Sequence, residues 1–131
     1  MPRRILQIDL SLPTPAYEQI ASGLRRLLVE GAFLPGDQLP TVRRLAMDLG
    51  VHHNTVADAY RILAGEGWLE LKRGRGAVAI ERRESRPDSR ARARFGQGLK
   101  ELVAKAIAEG VPRSAVKEEI ASLGSLLRKE R

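Results

Sequence analysis

The arginines of a glycine turn, Lys72-Arg73-Gly74-Arg75-Gly76, are the side chains with the clearest capacity for chemistry in this chain. Two arginines interleaved with two glycines suit a close approach to a polyanion, because glycine adds no side chain and arginine donates hydrogen bonds to phosphate. An ordinary exposed turn can have the same composition. We call this segment the basic turn, and its role depends on the elements around it.

Two adjacent histidines, His52 and His53, are the only histidines in the chain, and Asn54 follows them. A metal site is one interpretation, but adjacent histidines on a turn rarely chelate one ion, and the chain has no cysteine to support them. We therefore expect no metal and no cofactor. Asn54 could read adenine or could help to begin a helix, and both alternatives stay open.

No catalytic constellation is evident. The histidines have no nucleophile at a recognisable spacing. Glu66 and Glu70 form a carboxylate pair in the sequence, but the first lies at the end of a predicted helix and the second in a predicted strand. We therefore expect the protein not to be an enzyme.

Residues 39–78 contain the elements that would position these side chains. Two amphipathic helical patterns flank a tight turn at Gly50, with Thr41 as the N-cap of the first helix and the second beginning near His53 or Asn54. A hairpin closed by the basic turn follows. The predicted order is helix, turn, helix and wing, and a helix placed after such a turn can enter the DNA major groove.

Upstream of this run, the sequence predicts one further helix. Thr14 is a suitable N-cap with Pro15 at the first helical position, and Gly31 marks the end. Ile5, which precedes more apolar residues, could begin a short strand.

The sequence after residue 81 predicts a separate helical tail. A polar boundary at residues 81–88 ends at Asp88, a suitable N-cap, and two helices follow, each with one apolar stripe. Two such helices bury too little surface to be stable alone, so they must pack on the N-terminal domain or on a second copy, and we favour a second copy. The candidate dimerisation residues are Phe95, Leu99, Leu102, Val103, Ile107, Val116, Ile120, Leu123 and Leu127.

These elements predict an α+β, mainly helical fold. Residues 1–81 would form a winged helix-turn-helix DNA-binding domain, and residues 82–131 a linker and a helical dimerisation tail.

The charge distribution fits a polyanion partner. The 131 residues contain 23 Lys and Arg against 16 Asp and Glu, a net charge of +7. Residues 1–81 hold 10 basic and 9 acidic side chains, whereas residues 82–131 hold 13 and 7. The basic excess of the tail indicates either a solvated surface or a role in tracking phosphates.

The sequence contains no apolar run of membrane-spanning length, and no signal-like apolar core follows Met1-Pro2-Arg3-Arg4. We therefore expect a cytoplasmic protein without a membrane partner.

A family resemblance rests on six motifs that occur in order across residues 14–80. They are Tyr17-Glu18-Gln19-Ile20, Pro35-Gly36-Asp37-Gln38-Leu39-Pro40, Val42-Arg43-Arg44-Leu45-Ala46, Leu49-Gly50-Val51, Asn54-Thr55-Val56 and Gly65-Glu66-Gly67-Trp68-Leu69. With these motifs the chain resembles the GntR family of bacterial transcription regulators, whose N-terminal domain is a winged helix-turn-helix. Its short two-helix tail is similar to that of the YtrA-type branch, in which the tail serves dimerisation.

The resemblance implies DNA contacts for particular residues. Arg43 matches a DNA-contacting arginine of the family, and Arg44 beside it either contacts DNA or is only solvated. Thr41 would cap its helix and touch phosphate through its hydroxyl, and Thr55 matches a phosphate-contacting threonine. The candidate DNA-binding set is Thr41, Arg43, Arg44, His52, His53, Asn54, Thr55, Arg73, Gly74 and Arg75.

Two departures from the family pattern concern the recognition helix. The family commonly has Ser-Arg at His52-His53, and Arg or another polar residue at Ala57. Since arginine reads guanine with two donors, we expect DNA binding here without the family's usual base preference.

The predicted function is a dimeric repressor that binds an inverted-repeat operator, with double-stranded DNA and a second copy as partners. The alternative is an adaptor whose tail docks a larger protein while DNA contact is incidental. The sequence identifies no small-molecule effector.

Overall fold

The computed structural model describes residues 6–82 and 86–127. The chain divides into two compact units, Met1–Arg83 and Glu84–Arg131, which we call the first and second units. The helices are α1 (Ala16–Val29), α2 (Val42–Leu49), α3 (His53–Gly65), α4 (Ser89–Ala108) and α5 (Arg113–Leu126), and the strands are β1 (Leu69–Lys72) and β2 (Gly76–Ala79). This mainly helical α+β composition confirms the predicted fold class. Three predictions depend on residues that lie outside the described ranges. The start of the predicted strand and the expected absence of a signal-like core concern residues 1–5, and part of the predicted boundary concerns residues 83–85.

Helix α1 carries the inner face of the first unit. Ile20, Ala21 and Leu24 are buried, as their helical spacing requires. The prediction of Thr14 as the N-cap was wrong, because Pro15 occupies that position and no side chain caps the helix. The Thr14 carbonyl instead accepts a hydrogen bond from the Gln19 side chain at 2.9 Å, so Gln19 ties the incoming chain to the helix.

The segment before α1 contributes to the core without forming a strand. Leu6 is only 5% exposed and packs with the buried residues of the first unit. Residues 6–9 have no strand pairing, so the predicted strand is absent from the described part of that segment.

Helices α2 and α3 pack through small and branched side chains around the turn at Gly50. The glycine has φ 72° and caps α2 in the left-handed conformation, which glycine adopts without strain. On α3, Val56 and Tyr60 are buried, and the Tyr60 hydroxyl donates to the Pro40 carbonyl at 2.6 Å. Burial raises the pKa of Tyr60, so the phenol stays protonated and keeps this bond, which holds the start of α2 against α3.

The wing is an antiparallel hairpin in which Leu69 pairs with Ala79 at the open end. A segment before α2 adds to the free edge of β2. The Leu39 amide donates to the Ala77 carbonyl at 2.9 Å, and the Ala79 amide donates to the Asp37 carbonyl at 2.8 Å. From the sequence, the Pro35-Gly36 pair predicts only a turn over residues 33–37. Backbone pairing along the edge of β2 fixes the wing relative to the start of α2.

Glu66 joins α1, the end of α3 and the chain beyond β2. The Arg25 guanidinium donates to both carboxylate oxygens at 2.8 Å, and the Trp68 indole donates to one of them at 3.0 Å. Arg82 donates to the Glu66 carbonyl at 2.9 Å and lies 4.6 Å above the Trp68 ring. The bonds from Arg25 lower the pKa of the Glu66 carboxyl, so it remains ionised at neutral pH.

The second unit is a helical pair. The Asp88 carboxylate accepts a hydrogen bond from the Arg90 amide at 2.9 Å, which confirms the predicted N-cap of α4. Neither α4 nor α5 has a buried residue. Phe95 is 69% exposed and Leu102 is 64% exposed, so within this unit the apolar stripes are only partly covered.

The helices of the described residues include none with the length and apolar character needed to cross a membrane.

Candidate nucleic-acid interface

The first unit presents the exposed side of α3 at its surface. Val56, Ala59, Tyr60 and Leu63 are buried on one side of this helix. At about 100° per residue, Asn54, Asp58 and Arg61 fall on the other side, and His53 lies at the first position of the helix. His53, Asn54, Asp58 and Arg61 are accordingly exposed. These four exposed side chains are all polar, as a helix that contacts base edges requires.

The start of α2 places two arginines at the surface. The Thr41 hydroxyl oxygen accepts a hydrogen bond from the Arg44 amide at 3.1 Å, which confirms the predicted N-cap and leaves the hydroxyl proton free to donate. Arg44 forms an ion pair with Asp48 at 3.5 Å. Arg43 is exposed and has no ion pair with any residue that the structure describes. Its guanidinium donors are therefore free for an external acceptor.

The start of α3 is capped by an unusual residue. The Nδ1 atom of His52 accepts a hydrogen bond from the Asn54 amide at 3.1 Å. An imidazole nitrogen accepts only when it carries no proton, so this cap requires the tautomer with its proton on Nε2. The His52 and His53 rings are stacked with their centroids 4.3 Å apart. The exposed rings of His52 and His53 then provide the polar groups at this helix end.

The cap also bears on the metal interpretation. Nδ1 of His52 is occupied by a backbone amide. Within residues 6–82 and 86–127, His, Cys, Asp and Glu side chains do not gather into any group of three that could hold an ion.

Because His52 caps α3, we expect His52→Ala to lower the free energy of unfolding by about 1 kcal/mol, the usual loss when a capping side chain is removed. His52→Ser is the matched control, since serine restores a capping oxygen and should retain most of the wild-type stability. Urea unfolding followed by circular dichroism measures both. Equal losses in the two variants would show that the imidazole acts other than as a cap.

Arg61 is an exposed residue of α3 that the sequence analysis did not single out. Its guanidinium contacts the Asp58 carboxylate at 2.5 Å, and both side chains are more than half exposed. Ala57, at the position where the family commonly has a long polar residue, lies one helical turn earlier and is half-buried. Arg61 is therefore the single arginine of α3. The helical spacing of the apolar residues could have identified Arg61 from the sequence, since Arg61 falls on the opposite side of the helix.

The basic turn lies at the tip of the wing. Gly74 and Gly76 have φ values of 78° and 71°, a conformation that strains any residue with a side chain. The Gln38 side-chain amide donates to the Arg75 carbonyl, which fixes the turn to the segment before α2. Arg73 and Arg75 are exposed. The wing tip thus presents two guanidinium groups on a backbone that the hairpin and the Gln38 side chain hold in place.

The structure gathers the ten candidate DNA-binding residues at three places in the first unit: the start of α2, the start of α3 and the wing tip. Nine are exposed and Thr55 is half-buried. The amide of Thr55 donates to the His52 carbonyl at 3.0 Å, so this residue belongs to the first turn of α3. The arrangement can bind an extended polyanion, and the contact of each residue with DNA stays a prediction.

Comparison with known proteins agrees with the predicted fold and with the predicted class of protein, a DNA-binding transcription regulator. Residues 16–78 match the family described as bacterial regulatory proteins, gntR family. Over 121 residues the chain is 35% identical to the HTH-type transcriptional repressor YtrA of Bacillus subtilis (strain 168), covering 92% of this chain and 93% of that protein. The predicted resemblance is thereby confirmed.

Two solved structures extend the comparison. The chain is similar to YtrA from Sulfolobus acidocaldarius, a GntR-family transcription factor, with 35% identity and a TM-score of 0.56 over 79% of this chain and 98% of that chain. It is also similar to AraR(DBD) in complex with operator ORE1, with 25% identity and a TM-score of 0.51 over 56% of this chain and 89% of that one. These similarities confirm a winged helix-turn-helix in the first unit.

Proposed function

Because this chain belongs to the gntR family of bacterial regulatory proteins, we propose that it is a dimeric transcriptional repressor that binds an inverted-repeat operator. Its relatives are regulators and not enzymes. The observation that carries the proposal is that two helix starts and a basic wing tip with exposed arginines belong to one unit. Double-stranded DNA is the polyanion that a helix-turn-helix with a basic wing fits.

Each part of the interface has a distinct role in this proposal. Helix α3 enters the major groove, and its exposed His53 and Asn54 face base edges. Arg43, free at the start of α2, reaches the same groove from its edge. The wing tip, with Arg73 and Arg75, binds phosphates or the adjacent minor groove.

Base preference follows from the side chains on α3. His53, in its neutral form, offers one donor and one acceptor, whereas arginine offers two donors to a guanine. Ala57 offers only a methyl group. We therefore propose that guanine readout depends on Arg43, and that α3 contributes a preference unlike that of relatives with arginine at position 53.

The second unit supplies the dimer. Its exposed apolar residues form stripes along α4 and α5, and Phe95 and Leu102 remain more than 60% exposed. A second copy that covers these stripes removes them from water and places two DNA-binding units on one duplex. The two-fold symmetry of such a dimer matches an inverted repeat. A location in the cytoplasm, with access to the chromosome, follows from this role.

The proposal predicts that the full-length protein is a dimer and prefers a palindromic duplex over a scrambled one of equal length. Duplexes selected from a random pool, and any inverted repeat upstream of its own operon, supply the operator. Specific binding is expected to exceed nonspecific binding by at least about 10³-fold at physiological salt. Fluorescence anisotropy gives both affinities, and light scattering gives the mass. A monomer without sequence preference would contradict the proposal and favour the adaptor.

A further inference from the structure

A cluster of arginines lies outside the first unit, which we also call the winged unit, at the start of the second unit. The described members are all exposed, and none forms an ion pair with a described residue. They are Arg86, Arg90, Arg92 and Arg94. The carboxylate within this run, Asp88, is occupied by capping the Arg90 amide, and the next acidic residue along the chain is Glu101. The start of α4 and the residues just before it therefore carry four arginines against a single carboxylate, a local excess of positive charge.

This charge lies where a helix tolerates it least. The start of a helix carries a partial positive charge, so cations there are unfavourable and acidic residues are the usual choice. The first turn of α4 instead contains Arg90 and Arg92 and no acidic residue. Helix stability alone does not account for arginines at this helix start. A bound polyanion would offset the repulsion between these cations and the partial positive charge of the helix start.

Helical spacing separates these arginines into two sets. At about 100° per residue, Arg90 and Arg94 share one face of α4. Phe95 and Leu99 lie on the opposite side, and Arg92 falls on their side. A partner that covers the apolar stripe thus leaves Arg90 and Arg94 exposed to solvent.

From this charge and this spacing we propose that Arg90 and Arg94 bind the phosphate backbone of the DNA held by the winged unit, with Arg86 just upstream adding a third cation. The proposal rests on the proposed function, because it needs the duplex to be bound already. Contacts with phosphate carry no sequence information, so this face adds affinity and salt dependence and leaves base preference unchanged.

The test measures affinity against salt for the full chain and the variants Arg90→Gln, Arg94→Gln and the double variant, on a mixed-sequence duplex and on the selected operator. Glutamine has nearly the helix propensity of arginine, so α4 should persist. Each phosphate contact adds about 0.9 to the slope of log K against log salt, so losing both lowers the slope by about 1.8 per protomer and about 3.6 per dimer. The ratio of wild-type to double-variant affinity should therefore fall about 150-fold between about 50 and about 200 mM salt. Both duplexes should show the same loss.

Arg92→Gln is the matched control, because it removes the same charge two residues away on the other side of α4. We expect its slope to stay close to that of the wild type. A wild-type slope in the double variant, or a loss in Arg92→Gln as large as in Arg90→Gln or Arg94→Gln, would overturn the proposal. Failure of the proposed function shows separately, as a wild-type protein that binds the operator no better than the mixed-sequence duplex.

Discussion

Leu102→Glu is expected to convert the dimer into monomers and to weaken operator binding by at least about 10²-fold, the advantage that linking two binding units provides. The side chain is 64% exposed in the single chain and lies on the apolar stripe of α4. The variant should therefore fold normally and fail only in association.

The size of the effect follows from burial in a symmetric interface. Each leucine transferred from water to an apolar contact contributes about 1.5–3 kcal/mol, and two-fold symmetry makes one substitution count twice. A carboxylate placed there must also lose its hydration, which adds to the cost. The dissociation constant of the dimer is thus expected to rise by at least about 10²-fold, since about 1.4 kcal/mol corresponds to tenfold.

Leu10→Glu is the control, because Leu10 is also 64% exposed but lies in the first unit, before α1. Light scattering at a series of concentrations gives the dimer constant, and anisotropy with the operator gives the affinity. A Leu102→Glu protein that remains dimeric at the same concentrations as the wild type would show that the dimer uses another surface.

The helix-turn-helix was predictable because its signals are local. Gly50 adopts the left-handed conformation that ends α2, and Thr41 accepts the capping hydrogen bond that its position predicts. Buried residues at helical spacing defined the inner faces of α1 and α3. Each of these signals depends on a few neighbouring residues, so the sequence contains the whole argument.

Features that depend on distant residues were not predictable. Arg25 and Glu66 are 41 positions apart, yet they form the bidentate pair that joins α1 to the end of α3. Gln38 contacts the wing tip 37 positions away. Nothing in the spacing of these residues indicates that the chain brings them together, because only the packing of the helices decides it.

The candidate interface shows the same division. The basic turn and the arginines of α2 were found from residue type and family motif, since neither depends on packing. The cap by His52 was missed because histidine is not among the residues that usually cap helices. Here the imidazole supplies an acceptor nitrogen where the family commonly has a serine oxygen. The cap is thus retained, while the ring adds a surface that stacks on His53.

Arg43→Ala is expected to remove most of the preference for the operator while leaving the fold intact. The side chain is exposed and has no ion pair with any described residue, so its removal leaves no group unpaired within the chain. Alanine also favours the helix at this position of α2. The stability of the variant should therefore match that of the wild type.

The magnitude depends on what the guanidinium contacts. A bidentate contact with a guanine is worth about 1–3 kcal/mol of discrimination, which is about 5- to 150-fold for each half-site. In a dimer both half-sites lose it, so discrimination between operator and scrambled duplex should fall by roughly the square of that factor. Binding to the scrambled duplex should fall only slightly, because a single cation per protomer contributes little to nonspecific affinity.

Two other arginines serve as comparisons for Arg43→Ala. Arg44 is partly neutralised by Asp48 at 3.5 Å, so Arg44→Ala should reduce discrimination less than Arg43→Ala does. Arg75 lies at the wing tip, and Arg75→Ala should weaken binding to operator and scrambled duplex by the same factor, as loss of a phosphate or minor-groove contact does. Anisotropy titrations of the three variants on both duplexes distinguish these patterns. An Arg43→Ala protein that loses the same factor on both duplexes would assign Arg43 to phosphate, and base readout would then belong to α3.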